Sequence, residues 1–299
     1  MKKLFRLVMA AAVIFSVASC AKEDISTTLG KGQVEVTFTA NLADLSTRSI
    51  GDGMTVDQVY LAVYEKGGTK ALESSKLSGT AVVNGKATIN VVLLKDKTYD
   101  LVFWAQNNAA NAYDITALAD GRTIKANYAE VANLENRDAF CLVRNNYKAG
   151  HDETTFSLKR PFAQINVANS DADVEYIKDN GAVIEESKMV VKTKVRNTLN
   201  MLKETPELAG ELVDVTFESN DIPAEDFYKD GYNYLAMNYL LVNERELVDL
   251  EFVFTDDKGV NYTRKYFQVP VQRNYRTNIL GQIISSPYDF NVEIVPGFD

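Results

Sequence analysis

One histidine and two cysteines are all that this 299-residue chain offers for metal or nucleophilic chemistry. His151 sits in a polar stretch, Lys148-Ala-Gly-His-Asp-Glu153. Cys141 lies between Phe140 and Leu142. A zinc site or a His-based triad needs several such ligands converging, and one isolated imidazole with one apolar-flanked thiol cannot build either. Carboxylates are plentiful, as in Asp171/Asp173, Glu185-Glu186 and Asp256-Asp257. They lack the ligand number and loop pattern of a calcium site and read as solvated turns. No Gly-rich phosphate loop, GxSxG elbow or HExxH pair occurs. The expectation is a protein without catalytic residues, cofactor or metal.

Cys20 is different, because of what precedes it. Met-Lys-Lys-Leu-Phe-Arg gives a basic start, and Leu7 to Val17 is an apolar run broken only by Ser16. A membrane-spanning helix needs about 20 apolar residues, so this run fits the core of a secretory signal peptide. Val17-Ala18-Ser19-Cys20 then resembles a bacterial lipobox, in which the Cys is lipidated and becomes the first mature residue. Residues 1–19 are expected to be the signal peptide and 20–32 a lipidated linker. Losing Lys2, Lys3 and Arg6 leaves 29 basic against 41 acidic residues, a net charge of −12. Such a chain is a poor partner for nucleic acid and for anionic lipid, so membrane attachment has to come from acyl chains.

The elements behind these residues are mostly strands. Val34, Val36 and Phe38 alternate with Glu35, Thr37 and Thr39 across residues 33–39. A polar linker, 44–53, follows and contains Arg48-Ser49. Val82-Val83 and Ile89–Leu93 flank Asn84-Gly85, the turn of a short hairpin. Tyr99–Ala105 is a nearly continuous apolar run, as for a strand covered on both faces. Residues 107–150 read as loops with short helical pieces. Arg160-Pro161 interrupts the next strand pattern, and proline belongs at a break or an edge, so a domain boundary is placed there: 33–157 and 158–299. Asp171–Asn180 suits one short helix. Strand patterns then recur at 189–195, 213–218, 234–242, 247–254, 262–269, 276–284 and 289–295. The spacing, without βαβ alternation, predicts an all-β fold of two sandwiches in tandem. In the last segment Phe290, Val292 and Ile294 share one face.

Several segments, taken in order, resemble the Bacteroidetes fimbrillin family, the subunits of type V pili. They are the lipobox with its acidic sequel Ala-Lys-Glu-Asp, Leu101-Val-Phe-Trp-Ala-Gln106, Leu158-Lys-Arg-Pro-Phe-Ala-Gln-Ile-Asn-Val167, Tyr234-Leu-Ala-Met-Asn-Tyr-Leu-Leu-Val242 and Arg273-Asn-Tyr-Arg-Thr-Asn278. The resemblance implies two transthyretin-like Greek-key β-sandwich domains. It implies an outer-membrane lipoprotein precursor displayed on the cell surface. It also implies a trypsin-like maturation protease cutting after Arg48, so that the first strand leaves with its lipid at Cys20. A neighbouring subunit would then fill the opened slot with its own last strand, donating Phe290, Val292 and Ile294. The partners implied are other fimbrial subunits in a head-to-tail polymer.

Each of these readings has a competitor. From the residues alone Arg48 reads first as a solvated linker residue, and 289–295 reads equally as the last strand of the chain's own sandwich. No separable extension follows that strand, which leaves a tip or anchor subunit open. A non-polymerising surface lipoprotein that binds glycan or a host ligand is the other class. Trp104, directly after Leu101-Val-Phe, is expected in the core and not on a sugar.

Overall fold

The computed structural model describes residues 29–42, 50–286 and 288–296; Cys20, Arg48 and Ser49 lie outside them. The first strands are β1 (Gln33–Asn41), β2 (Gln58–Glu65), β3 (Lys76–Ala81), β4 (Lys86–Leu94) and β5 (Thr98–Gln106). Three short strands come next, β6 (Tyr113–Asp114), β7 (Thr123–Ala126) and β8 (Glu130–Val131), followed by β9 (Ala139–Lys148) and β10 (Thr155–Ser157). The rest comprises β11 (Phe162–Ser170), α1 (Asp171–Asp179), β12 (Ile184–Asn200), β13 (Glu207–Asp221), β14 (Tyr232–Leu241), β15 (Arg245–Asp256), β16 (Asn261–Gln272), β17 (Tyr275–Gly281) and β18 (Phe290–Pro296).

The chain is an all-β protein of two sandwiches. In the first, the sheet β10-β1-β4 faces the sheet β3-β2-β5-β9. Val36, Phe38, Ile89, Val91, Leu61, Leu101, Phe103 and Phe140 share its core, as alternation along each strand requires. In the second, β14-β11-β17-β18 faces a seven-stranded sheet built on β16-β15-β12-β13-β8. Ser170 caps α1, its Oγ accepting from the Asp173 N–H at 3.3 Å.

The two sandwiches are not independent beads. Tyr60, Ala62, Tyr64, Val102 and Trp104, on the outer face of the β2–β5 pair, belong to the same buried cluster as the second core. This is why β5 is buried almost end to end. Trp104 is fully buried, its Nε1 donates to Gln106 Oε1 at 2.7 Å, and it meets Tyr113 edge-on at 5.1 Å. It has no face left for a sugar.

Two expectations need correction. Asn84-Gly85 makes a tight turn, with both φ positive (51° and 71°) and only Val83 bridged to Lys86. Its flanks do not form a hairpin: β3 pairs with β2 in one sheet and β4 with β1 in the other. The turn carries the chain across the sandwich. The second concerns residues 107–150. They contain β9, a ten-residue strand paired with β5, and β6–β8, which join the second sandwich's large sheet through β12 and β13.

That excursion also covers a sheet edge. Asn133, at φ 62°, accepts from the Met237 N–H at 2.9 Å and donates to Ser187 Oγ and the Asp221 carbonyl. The Tyr128 hydroxyl accepts from the Leu241 N–H at 3.0 Å. The free flank of β14 is thereby occupied by side chains, one of the ways a sheet avoids adding foreign strands.

Candidate functional site

Apart from Cys20, Arg48 and Ser49, which lie outside the described residues, the segments singled out in sequence are a first strand, the linker behind it and the last strand. β1 is the middle strand of its sheet, paired antiparallel with β4 from Gln33↔Leu94 to Asn41↔Lys86 and parallel with β10 from Thr39↔Thr155 to Asn41↔Ser157. Val36, Phe38, Ala40 and Leu42 point inward and are buried. The Phe38 ring meets Phe103 at 5.8 Å, Tyr147 at 5.2 Å and Phe156 at 6.1 Å. Burying a side chain such as Val, Leu or Phe contributes roughly 1.5–3 kcal/mol. Without β1, β4 and the three-residue β10 would lose their shared neighbour, and the apolar wall formed by Leu61, Phe103 and Phe140 would be uncovered.

At Ile50 and Gly51 the linker is held by groups that do not belong to the slot. Ile50 is buried, and its carbonyl accepts from Gln164 Nε2 at 3.3 Å. The Gly51 N–H donates to Glu135 Oε1 at 2.9 Å, while its carbonyl accepts from Arg160 Nη2 at 2.6 Å. Arg160 is paired in two-pronged fashion with Asp138, at 2.7 and 2.6 Å, and its guanidinium lies 4.3 Å from the Phe140 ring centre. Both members of this ion pair are almost wholly buried. Burial raises the Glu135 carboxyl above its usual range. The Gly51 N–H opposes this, and the charges of Asp52, Asp138 and Glu225 add to the rise.

Gly51 itself has no room for a side chain. Its φ is +81°, and a Cβ there would lie 2.9 Å from Gln164 Oε1 and 3.0 Å from the Tyr239 hydroxyl. Gly51→Ala is therefore expected to destabilise the chain by about 1–3 kcal/mol, read as a lower midpoint in urea. A change within a few tenths of the wild type would mean that the linker is not held as described.

β18 is held much more loosely than β1. It pairs antiparallel with β17, from Tyr275↔Pro296 to Gly281↔Phe290, at the end of its sheet. Phe290, Val292 and Ile294 do share a face, opposite Gly281, Ile279 and Thr277. None of the strand's residues is buried. Phe290 is 38% exposed and touches Tyr266 edge-on at 4.8 Å. Glu293 makes the polar attachments, to Lys229 at 3.0 Å, Asn278 Nδ2 at 3.3 Å and the Tyr228 hydroxyl at 3.5 Å. The segment leading into β18 is fixed firmly by contrast. Asn169 Oδ1 accepts from the Ile283 N–H at 3.0 Å, and the Asp173 carboxylate accepts from Ile284 and Ser285 at 2.7 and 3.0 Å. Arg264 donates to the carbonyls of Ile283 and Ile284. Sequence reading missed Asn169 and Arg264, since polar residues that grip backbone leave no periodic signal, and it took Asp173 for part of a solvated turn, whereas Asp173 is buried and holds backbone.

His151 is exposed, pairs with Asp96 and lies beside residues 34–37 of β1. Cys141 is buried, and burial pushes its thiol up to about 12, out of the nucleophilic range. Among the described residues no cluster of His, Cys, Asp and Glu could hold a metal ion, and no helix is long and apolar enough to cross a membrane.

The structure is similar to the tip fimbrial protein Mfa3 from Porphyromonas gingivalis with C-terminal truncation, at a TM-score of 0.51 and 10% identity, covering 88% of this chain and 99% of that one. It is also similar to a candidate cell adhesion protein from Parabacteroides distasonis, at 0.50 and 13%, covering 89% and 98%. At such identities the likeness establishes the fold alone. No curated protein matches the sequence. A family described as being of unknown function, DUF6562, matches residues 26–299.

Proposed function

We propose, starting from the fact that the chain belongs to the family of unknown function DUF6562, that it is a cell-surface fimbrial subunit assembled by strand exchange. One observation carries the reading. β1 fills the centre of the first sandwich, yet the chain behind it is fastened separately, at Ile50 and Gly51, by Gln164, Glu135 and Arg160. A cut between these two holds would let β1 go and leave the rest in place. The fold shared with a tip fimbrial protein and a candidate adhesion protein supports a place at the cell surface.

In this reading residues 1–19 are a signal peptide and Cys20 carries the lipid that brings the precursor to the outer membrane. The N-terminal sandwich is drawn from 33–157, apart from β6–β8, which join the large sheet of the C-terminal one, drawn from 158–299. A trypsin-like protease cuts Arg48–Ser49, and the linker's polarity suits an extended substrate. β1 then leaves, and a neighbour's β18 enters the slot with Phe290, Val292 and Ile294 in the places of Val36, Phe38 and Ala40. Backbone pairing and apolar burial are restored together, as in other cases of strand addition. The looseness of β18 in its own sheet supports its role as the donor.

Mass spectrometry of surface material tests this. Assembled protein should begin at Ser49 and run as ladders resistant to detergent. Arg48→Ala should leave the chain beginning at acylated Cys20 and remove the ladders. Recovery of wild type only as an acylated monomer would sink the polymer reading. That result would favour the second reading, a tip or anchor subunit or a stand-alone adhesin, to which the likeness with a tip protein also lends support.

A further inference from the structure

A cavity of about 230 Å³ lies beside α1, away from the strands of the exchange reaction. Its walls are aliphatic: Val174, Ile177, Ala182, Ile184, Ile222 and Leu235. At its mouth stand four exposed polar side chains, Lys178, Glu225, Asp226 and Asn233. Two buried polar residues also line it. Asn169 is 1% exposed; its Oδ1 is taken by the Ile283 N–H at 3.0 Å, which sets the orientation of the amide, and its Nδ2 donor has no partner among the described residues. Tyr234 is 3% exposed, and its hydroxyl has no partner among the described residues either. Buried donors in folded proteins are nearly always paired, so an unpaired one in a cavity calls for an acceptor brought from outside.

We propose that this cavity binds the N-acyl group of an amino sugar. The walls suit a methyl or short alkyl group, and the Asn169 Nδ2 suits the acyl carbonyl. The mouth offers both donors and acceptors, Lys178 and Asn233 against Glu225 and Asp226, which is what sugar hydroxyls require. The volume equals that of roughly seven to eight waters in the liquid, enough for one substituted ring. Aromatic stacking plays no part, which agrees with the burial of Trp104. The inference goes beyond the fimbrial reading and stands whether or not β1 is released.

Isothermal titration of the purified chain is the test, with N-acetylglucosamine, glucosamine, N-butanoylglucosamine and N-acetylglycinamide as probes. N-acetylglucosamine should bind saturably and glucosamine should not. Lengthening the acyl chain should tighten binding by about fourfold per methylene, as expected for aliphatic walls. Asn169→Asp keeps an acceptor for Ile283 and removes the donor, so it should abolish binding of the N-acyl sugars while β18 stays in place by hydrogen exchange. Should that variant fail to fold, Ala182→Leu, which fills the cavity from its apolar side, should do the same. Equal binding of glucosamine, no gain from the longer acyl chain, or binding undiminished in a folded variant would overturn the proposal. Binding of N-acetylglycinamide as tight as that of the sugar would overturn the sugar part, since the mouth would then contribute nothing.

Discussion

Replacing Asp138 by alanine is expected to destabilise the folded chain by about 3–5 kcal/mol, the usual effect of breaking a buried ion pair from one side. Asp138 is 0% exposed and meets Arg160 with both carboxylate oxygens. Arg160 in turn holds the Gly51 carbonyl and lies against Phe140. Without the carboxylate, a guanidinium stays in a place from which water is excluded. The damage should reach three elements: the linker at 50–51, β9 through Phe140, and the start of β11. Double replacement by apolar residues of similar size, Asp138→Leu with Arg160→Met, should recover much of the loss, because the main cost is the stranded charge. Urea denaturation of the single and double variants checks this. A single variant within about 1 kcal/mol of wild type would show that Arg160 reaches solvent.

Phe38→Ala is the second large effect, and its size should depend on the state of the chain. In the uncut chain the ring is fully buried among Phe103, Tyr147 and Phe156. Truncating such a side chain costs about 3–5 kcal/mol. If β1 is expelled on assembly, Phe38 is absent from the fibre. The same substitution should then leave the fibre's thermal stability unchanged while lowering that of the precursor. Equal losses in both would mean that β1 stays, and the strand-exchange reading would fail with it.

Some of this was legible in the residue pattern and some was not. The alternation of β1 and of β18, the doubly covered β5 and the break at Arg160-Pro161 follow from side-chain period and proline chemistry, which are local. The Asn84-Gly85 turn shows the limit. Its φ angles are set by two residues, but the partner of each flanking strand is set by which face must meet the core, and that is a property of the whole sandwich. β6, β7 and β8 were invisible because strands of two to four residues carry no usable period. Among the described residues β6 pairs only with β7, and the partners of β7 and β8 lie some 70 to 90 positions away, as in Thr198↔Lys125 and Phe217↔Glu130. The grip on the linker rests on Glu135, Gln164 and Arg160, whose types are ordinary and whose convergence only the fold creates. Arg160 and Gln164 stood inside a segment that drew notice by resemblance; their task did not.

The excursion of β6–β8 into the second sheet also bears on the order in which the chain can fold. The first sandwich is complete once Leu158 has appeared, since among the described residues its core draws on nothing later. The second sandwich must wait for β17, which pairs in parallel with β11 more than 100 residues earlier, as in Gln164↔Arg276. Pairings this distant in sequence are slow to form, because a long loop has to close before any contact rewards it. In the interval the residues of β6–β8 and the outer faces of Tyr60 and Trp104 have no cover. A chain emerging N-terminus first would thus carry a finished sandwich with a sticky flank, vulnerable to premature association until its C-terminal half arrives. The kinetics of refolding should accordingly show two phases, a fast one reporting on Trp104's neighbours in β5 and a slow one reporting on its burial against Tyr113.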